Sequence, residues 1–241
     1  MEDDPLHRAK TYPYPIPDGS FIFRDGAPHY LGKTDPFPDV SNHHPVLAVG
    51  SNQSPEQLMR KFGDGWLSEI PVVRIELAGF DSVYSPHIAS YGAIAATLCE
   101  APGVTVALFV TWLDDGQLVR MHDTEISSAN YGFGRLSGLR IRCEAGPSLD
   151  ALYLYVSSRG TLSRSGNPIP VAEISAQNRT WPAMDQLAVQ RHVRDRLSPK
   201  TNLDAFITAS IDDGDLRRQR SDALKEGAGP FAPLTLEMIP I

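Results

Sequence analysis

The sequence predicts an α+β protein, with short strands in the middle of the chain and helices towards its end. Between residues 45 and 157, segments rich in Val, Ile, Leu, Tyr and Thr alternate with turn signals, as strands do. After residue 180, apolar residues recur at helical spacing in three successive segments. Runs of strands followed by runs of helices are typical of α+β folds. We therefore expect one domain over 1–241, comprising an N-terminal arm (1–44), a strand-rich core (45–157) and a mostly helical C-terminal region (158–241).

The composition is that of a globular protein and argues against a nucleic-acid partner. The chain is 41% hydrophobic and 21% charged, and its 22 basic and 29 acidic residues give a net charge of -7. A nucleic-acid-binding surface would require a basic cluster, and the sequence shows none. The mixed-charge stretch DDGDLRRQR at 212–220 is interpreted as a solvated helix face.

The cysteine content and the length of the apolar runs indicate in which cellular compartment the protein is expected. Cys99 and Cys143 are too few for a disulfide framework or a cysteine zinc site. The first ten residues, MEDDPLHRAK, contain no apolar signal-peptide core, and no apolar run reaches the roughly 18–20 residues of a membrane span. We expect a cytoplasmic protein without a membrane partner. The oligomeric state is left open.

The elements can be placed from local patterns. The proline-dense segments YPYPIPDGSF and KTDPFPDV exclude long helices from the arm, so their aromatic rings are expected to pack onto the domain. FGDGWLSE at 62–69 is interpreted as a turn. The strand candidates are PVLAV (45–49), VVRIELAG (72–79), SVYS (82–85), AIAATL (93–98), TVALFVTWL (105–113), LRIRC (139–143), ALYLYV (151–156) and LTLEMI (234–239).

Two helices interrupt the strands. The first is predicted to begin at Ser54, with Pro55 in the first helical position and Gln57 three residues past the cap. The second is predicted to begin at Asp114 or Asp115 and to end near Glu125. Helical segments after residue 180 are PAMDQLAVQRHVRDRL, NLDAFITAS and GDLRRQRSDALKEG.

Glu125 is a candidate for proton transfer because of its place on the second helix. It follows Leu118 by seven residues and Met121 by four, so the three side chains share one helix face. If that face is buried, desolvation and the negative end of the helix dipole are expected to raise the pKa of Glu125. A carboxyl group tuned in this way can accept and donate a proton near neutral pH. Alternatively, the helix frays before Glu125 and the side chain lies in water.

The segment VLAVGSNQSPEQL, residues 46–58, joins a predicted strand to a predicted helix through Gly50, Ser51 and Asn52. Backbone N–H groups between a strand and a helix form an anion site, and glycine permits a close backbone approach. A ligand is therefore expected at this junction.

Two segments resemble the γ-glutamylcyclotransferase family: VLAVGSNQS (46–54) and YGAIAATLCEAPGVTVALFVTWLDDGQLVRMHDTEISSANY (91–131). That family has a Tyr-Gly-Ser-Asn loop, matched here by Val49 and residues 50–52. An Ala-Thr strand (92–98), a Pro-Gly turn (102–103) and an acidic segment containing the catalytic Glu follow in the same order. The residue matching this Glu is Glu125, and Tyr131 stands where the family has an aromatic residue.

The resemblance implies a small mixed β-barrel with flanking helices and an enzyme that releases 5-oxoproline from a γ-glutamyl amine or peptide. It implies no metal or cofactor. Glu125 would be the general acid and base, and the small-molecule γ-glutamyl substrate would be bound by the remaining site residues, with the loop amides holding its α-carboxylate. These predicted substrate-binding residues are Val49, Gly50, Ser51, Asn52, Gln53 and Tyr131.

A non-catalytic module that holds an acidic metabolite in the same pocket is the alternative function, since Val49 replaces the usual Tyr. Histidines at 43, 44, 87 and 122 have no metal-ligand spacing with a carboxylate. His122 is interpreted as a neighbour of Glu125 or as a hydrogen-bonded core residue.

Overall fold

The computed structural model describes residues 4–63, 68–126, 130–231, 233 and 235–241. Of the turn predicted at 62–69, residues 64–67 lie outside this range. The helices in the described residues are α1 Pro5–Lys10, α2 Pro55–Phe62, α3 Asp115–Glu125, α4 Gln186–Leu197, α5 Leu203–Asp212 and α6 Gly214–Lys225. The strands are β1 Phe21–Arg24, β2 Ala27–Tyr30, β3 His44–Ala48, β4 Ile70–Ile88, β5 Ile94–Leu113, β6 Tyr131–Ser137, β7 Ile141–Cys143, β8 Ala151–Ser157, β9 Ser163–Arg164, β10 Asn167–Pro168, β11 Ala176–Gln177 and β12 Leu236–Met238.

The predicted α+β class is confirmed. One large sheet has the strand order β12-β6-β8-β3-β5-β4-β1-β2, while β11 also pairs with β5 and β7 with β4. The strand pairs are antiparallel apart from β3 and β8, which run parallel through Val46 and Leu47 of β3. Strands β9 and β10 form a separate two-stranded ribbon.

The sheet is open, so the prediction of a closed barrel is wrong. Within the described part of the chain, the outermost strands β2 and β12 each pair with a single neighbour. Strand β2 contains Pro28, which has no N–H to donate to a further strand, and His29 and Tyr30 on it are exposed. These features are typical of an edge strand and disfavour closure onto another strand.

Four of the predicted strands merge into two long ones. Strand β4 contains both VVRIELAG and SVYS, and β5 contains both AIAATL and TVALFVTWL. Gly79 and Gly103 each have a φ of +88°. The pairing shifts register between Ala78 and Phe80. The glycines therefore bend a continuous hairpin as β-bulges, and the predicted turn at Pro102-Gly103 is wrong.

Both helices that interrupt the strands begin where the sequence predicts. Ser54 occupies the N-cap position of α2, and Pro55 is its first helical residue. Asp114 caps α3, where its side chain accepts a 2.8 Å hydrogen bond from the Gln117 N–H and the Gln117 side chain accepts a 3.0 Å bond from the Asp114 N–H. This reciprocal capping box starts α3 at a defined residue and so determines where Glu125 falls.

Apolar side chains cover both faces of the central strands. Leu47 and Val49 belong to one buried cluster, to which α4 contributes Val189 and α6 contributes Leu224. Val46 and Ala48 point into a second cluster, with Leu58 of α2 and Met121 of α3. Helices on both sides of β3 thus bury Val46, Leu47 and Ala48, which explains the continuous apolar sequence of this part of the strand.

The first 44 residues contribute to the sheet. Strands β1 and β2 form a hairpin through Asp25 and Gly26, which both have positive φ, and β1 pairs with β4. This Asp-Gly pair is a hairpin signal that explains the two unpredicted strands. No helix within the described residues has both the length and the apolar character needed to cross a membrane.

Candidate functional site

The loop after β3 has free backbone donors beside a large cavity. The cavity has a volume of about 800 Å³, and Gly50, Ser51 and Asn52 line it. A 3-10 turn follows, in which Gln53 N–H donates to the Gly50 carbonyl at 3.3 Å and Ser54 N–H to that of Ser51 at 2.9 Å. Among the described residues, the N–H groups of 50–52 donate to no acceptor. Three consecutive amides therefore remain available for an anion.

Glu125 lies at the end of α3 and lines the same cavity. The Asn52 side-chain amide donates to Glu125 Oε1 at 3.0 Å, so it links the loop to the carboxylate. Lys61 of α2 forms an ion pair with the same oxygen. The Lys61 ammonium also lies 3.2 Å from the sulfur of Met121, one helical turn before Glu125. The predicted inward position of Glu125 thus brings it into contact with a second helix.

The predicted rise in the pKa of Glu125 is wrong. Burial raises the pKa and is the largest single effect. The charge and hydrogen bond of Lys61 and the hydrogen bond from Asn52 together outweigh burial, so the pKa falls below its ordinary value of 4.5. Glu125 is therefore a carboxylate at neutral pH. Desolvation acts in the predicted direction, but Lys61, which opposes it, lies 64 positions away along the chain.

Two tyrosines hold the backbone of Ala96 on the other wall of the cavity. Ala96 N–H donates to the Tyr12 hydroxyl at 2.8 Å, and the Tyr131 hydroxyl donates to the Ala96 carbonyl at 2.8 Å. Burial raises the pKa of both phenols well above their usual value, so both stay neutral. A Cβ atom on Gly50 would collide with the Tyr12 hydroxyl. This close approach is the reason for glycine at position 50.

His87 is buried at the same cavity as a neutral group. Burial, the largest effect, lowers the pKa of His87 to about 4. Its Nδ1 lies 3.1 Å from Ser85 Oγ, which in turn contacts Ser157 Oγ at 2.8 Å. The edge of the imidazole packs against the Tyr131 ring, with centroids 5.2 Å apart. His87 is thus oriented on one side by hydroxyl groups and on the other by an aromatic ring.

Most of the predicted site residues surround this one cavity. Those lining it are Val49, Gly50, Ser51, Asn52, Glu125 and Tyr131. Gln53 is fully buried away from the lining, and its side-chain amide donates to the Gly50 carbonyl at 3.1 Å, so it supports the loop. His122 accepts or donates a 2.8 Å hydrogen bond with the hydroxyl of Tyr155.

Sequence reasoning missed Tyr12, Lys61 and His87. Lys61 follows Leu58 by three residues and precedes Phe62, both of which are buried, so its place on the apolar face of α2 was a usable signal. Tyr12 was interpreted only as a packing residue. No local pattern marks it as a partner of Ala96, 84 residues away.

No protein-family model and no curated protein matches this chain. Among solved structures, a gamma-glutamyl cyclotransferase is 12% identical, covering 80% of this chain and 91% of that chain, with a TM-score of 0.39. The uncharacterized protein loc79017 from Homo sapiens is 14% identical over 55% of this chain and 73% of its own, with a TM-score of 0.41. YkqA from Bacillus subtilis is 13% identical over 81% and 71%, with a TM-score of 0.35. Because these TM-scores lie below 0.5, we base the functional inference on the residues of the cavity.

Proposed function

We propose that this protein is a γ-glutamylcyclotransferase-like enzyme that releases 5-oxoproline from a γ-glutamyl amine or peptide. The observation that carries the proposal is that the loop amides and Glu125 line one cavity. The side-chain amide of Asn52 connects them, since it donates a 3.0 Å hydrogen bond to the Glu125 carboxylate. The order of the Gly-Ser-Asn loop, the Ala-Thr strand and the Glu in the sequence supports it. The cytoplasmic location stays a prediction.

The loop would bind the glutamyl end of the substrate. The N–H groups of Gly50, Ser51 and Asn52 are the donors available for its α-carboxylate, since no described residue accepts from them. Three N–H groups around one anion form charge-assisted hydrogen bonds. This attachment leaves the α-amino group and the γ-carbonyl free to fold towards Glu125.

The reaction is an intramolecular exchange of one C–N bond for another. The α-amino nitrogen attacks the γ-carbonyl carbon to form the five-membered lactam, and the bond from that carbon to the departing amine breaks. The α-nitrogen changes from an ammonium group to the N–H of the lactam and so loses two protons. The departing nitrogen gains two and leaves as an ammonium ion, and Glu125 carries these protons one at a time. Atoms, electrons and protons balance without a cofactor. The main task of the protein is to hold the glutamyl chain in its folded conformation.

A neutral donor near the γ-carbonyl would stabilise the negative charge that develops on its oxygen. The Tyr12 hydroxyl accepts from Ala96 and, among the described residues, donates to none, so its proton is available. The loop amides are the other donors at this wall. Fixed donors of this kind lower the barrier because they do not reorganise during the reaction.

A second function, a non-catalytic module that binds an acidic metabolite, is favoured by the ion pair between Lys61 and Glu125. Lys61 holds the pKa of Glu125 below its ordinary value, which makes this carboxylate a weaker base than the proton transfer would use best. The replacement of the usual Tyr by Val49 favours the same function.

One experiment separates the two functions. The purified protein is incubated with γ-glutamyl amino acids, glutathione and γ-glutamyl amines, and 5-oxoproline is measured by mass spectrometry. Binding of the same compounds is measured by calorimetry. Time-dependent release of 5-oxoproline supports the enzyme. Saturable binding without release contradicts it and supports the binding module.

A further inference from the structure

The cavity and the chain as a whole carry charges of opposite sign. The chain has 22 basic and 29 acidic residues. Among the described residues that line the cavity, six are Arg or Lys and the only carboxylate is that of Glu125. The six are Arg8, Arg60, Lys61, Arg159, Arg217 and Arg218. Lys61 is paired with Glu125, and the other five cations are guanidinium groups that line a cavity in an acidic protein.

The arginines come from four separate parts of the chain. Arg8 belongs to α1, Arg60 to α2, and Arg217 and Arg218 to α6, while Arg159 follows β8. Helix α6 is held against β4 by a 3.0 Å hydrogen bond from the Ile88 N–H to Ser221 Oγ. Ser221 lies one helical turn after Arg217. This hydrogen bond therefore places the start of α6 at the cavity.

The carboxylates that pair with three of these arginines lie outside the cavity lining. Arg159 pairs with Asp222 and Arg218 with Asp215, whose side chains are 69% and 89% exposed, and neither aspartate lines the cavity. In the pair of Arg218 and Asp215 both side chains are exposed, and such a pair is weak because water screens it. Arg60 likewise pairs with Glu56, which lies outside the lining.

Arg217 has a different environment. Its guanidinium donates to the carbonyl oxygens of Ser210 and Ile211 at 2.7 and 3.1 Å. Among the described residues it has no carboxylate partner, and it lines the cavity. Low-dielectric walls that carry charges of one sign concentrate oppositely charged ligands.

We propose that these arginines form a second anion subsite, which binds a group with at least two negative charges on the amine half of the substrate. The group is a phosphate ester or a pair of carboxylates, since guanidinium binds both in the same bidentate manner. The identity of the substrate rests on the proposed function. The loop amides would hold the glutamyl end and the arginines the distal end, and a cavity of about 800 Å³ accommodates both.

The test compares γ-glutamyl amides that differ in the charge of the departing amine. The amines are ethanolamine, O-phosphoethanolamine and glutamate. We expect kcat/KM for one of the two charged compounds to exceed that for the ethanolamide by at least about tenfold, the contribution of one charged hydrogen bond. A larger value with phosphoethanolamine identifies a phosphate ester, and a larger value with glutamate identifies paired carboxylates. Equal values for all three compounds overturn the subsite.

Arg218→Gln is the main variant, and Arg142→Gln is its matched control. Both side chains are exposed and each pairs with one carboxylate, but Arg142 does not line the cavity. R218Q should reduce the preference for the charged compound by about tenfold, whereas R142Q should not alter it. Circular dichroism checks that both variants fold. An unaltered preference in R218Q and in a second variant, Arg159→Gln, overturns the assignment to the arginines.

Direct binding of pyrophosphate separates this inference from the proposed function. Calorimetry should show binding to wild type that is about tenfold weaker in R218Q and unaffected in R142Q. If no γ-glutamyl compound yields 5-oxoproline while pyrophosphate binds in this manner, the proposed function fails and the anion subsite stands. If 5-oxoproline is released without preference for charged amines and pyrophosphate does not bind, the function stands and the subsite fails.

Discussion

The Lys61 ammonium and the Glu125 carboxylate form an ion pair that connects α2 to the end of α3 at the cavity wall. Their side chains are 6% and 20% exposed, so both charges are largely withdrawn from water. Asn52 donates to the same carboxylate oxygen. A change at Lys61 therefore alters the pKa of Glu125, and a change at Glu125 leaves the ammonium group of Lys61 without its carboxylate partner.

Glu125→Gln should abolish most of the proposed activity in a protein that still folds, with some loss of stability because Lys61 loses its buried partner. The amide keeps the size of the side chain but cannot accept a proton at neutral pH, so release of 5-oxoproline should fall by about 10²–10⁴-fold. Ligand binding should persist through the loop amides. Glu100→Gln, on an exposed residue outside the cavity, is the control. A near wild-type rate in E125Q would assign Glu125 a structural role.

Lys61→Met should raise the pKa of Glu125. In wild type, Lys61 and Asn52 hold the pKa of Glu125 below its ordinary value. The ionised carboxylate therefore stabilises the folded state at pH values above the unfolded-state pKa. This stabilisation is lost as the pH falls through the lower pKa of the folded state. Without Lys61, burial dominates and the pH at which Glu125 titrates rises. Carbon-13 NMR of the Glu125 carboxyl group measures it directly. A titration at the wild-type pH in K61M would contradict the role of the ion pair.

Gly50→Ala should destabilise the protein through a collision with Tyr12. The added Cβ overlaps the Tyr12 hydroxyl, and overpacking of this kind costs about 1–3 kcal/mol. Tyr12→Phe removes the oxygen and loses the hydrogen bond from Ala96. The double variant should therefore be more stable than the sum of the two single changes predicts, as measured by urea unfolding. Strict additivity would show that the residues do not interact.

Asp81→Asn should weaken the fold far more than Glu76→Gln, although both residues lie on β4 and pair with an arginine. Asp81 is fully buried and accepts from two nitrogens of Arg179 at 2.8 and 2.9 Å. Breaking a buried pair leaves an uncompensated charge and costs about 3–5 kcal/mol. Glu76 pairs with the exposed Arg142, where water replaces the lost contact. Equal thermal midpoints for the two variants would contradict this contrast.

Local sequence signals predict helix starts in this protein better than strand ends. Pro55 and the Asp114–Gln117 capping box determine the starts of α2 and α3 through contacts within four residues. Gly79 and Gly103 have the same sequence signature whether they turn the chain or bend a strand. The pairing of β4 with β5 decides between these outcomes, and that pairing depends on residues distant in sequence.

The candidate site shows the same division between local and distant information. The loop at 50–52 and the orientation of Glu125 follow from a strand–helix junction and a helical period. The partners that set the chemistry, Lys61 and Tyr12, reach the cavity only when α2 packs on α3 and the N-terminal segment packs on β5. The pKa of Glu125 was therefore predicted with the wrong sign, although its position was predicted from local sequence.

The residues that line the cavity are widely separated in sequence, and they range from Arg8 in α1 to Ser221 in α6. During translation, the loop after β3 and Glu125 leave the ribosome long before α6 does. A nascent or truncated chain that stops before residue 214 contains the loop after β3 and Glu125 but lacks the residues that α6 contributes to the cavity. The cavity of such a chain is incomplete, so the ability to bind should be acquired only after α6 has been synthesised.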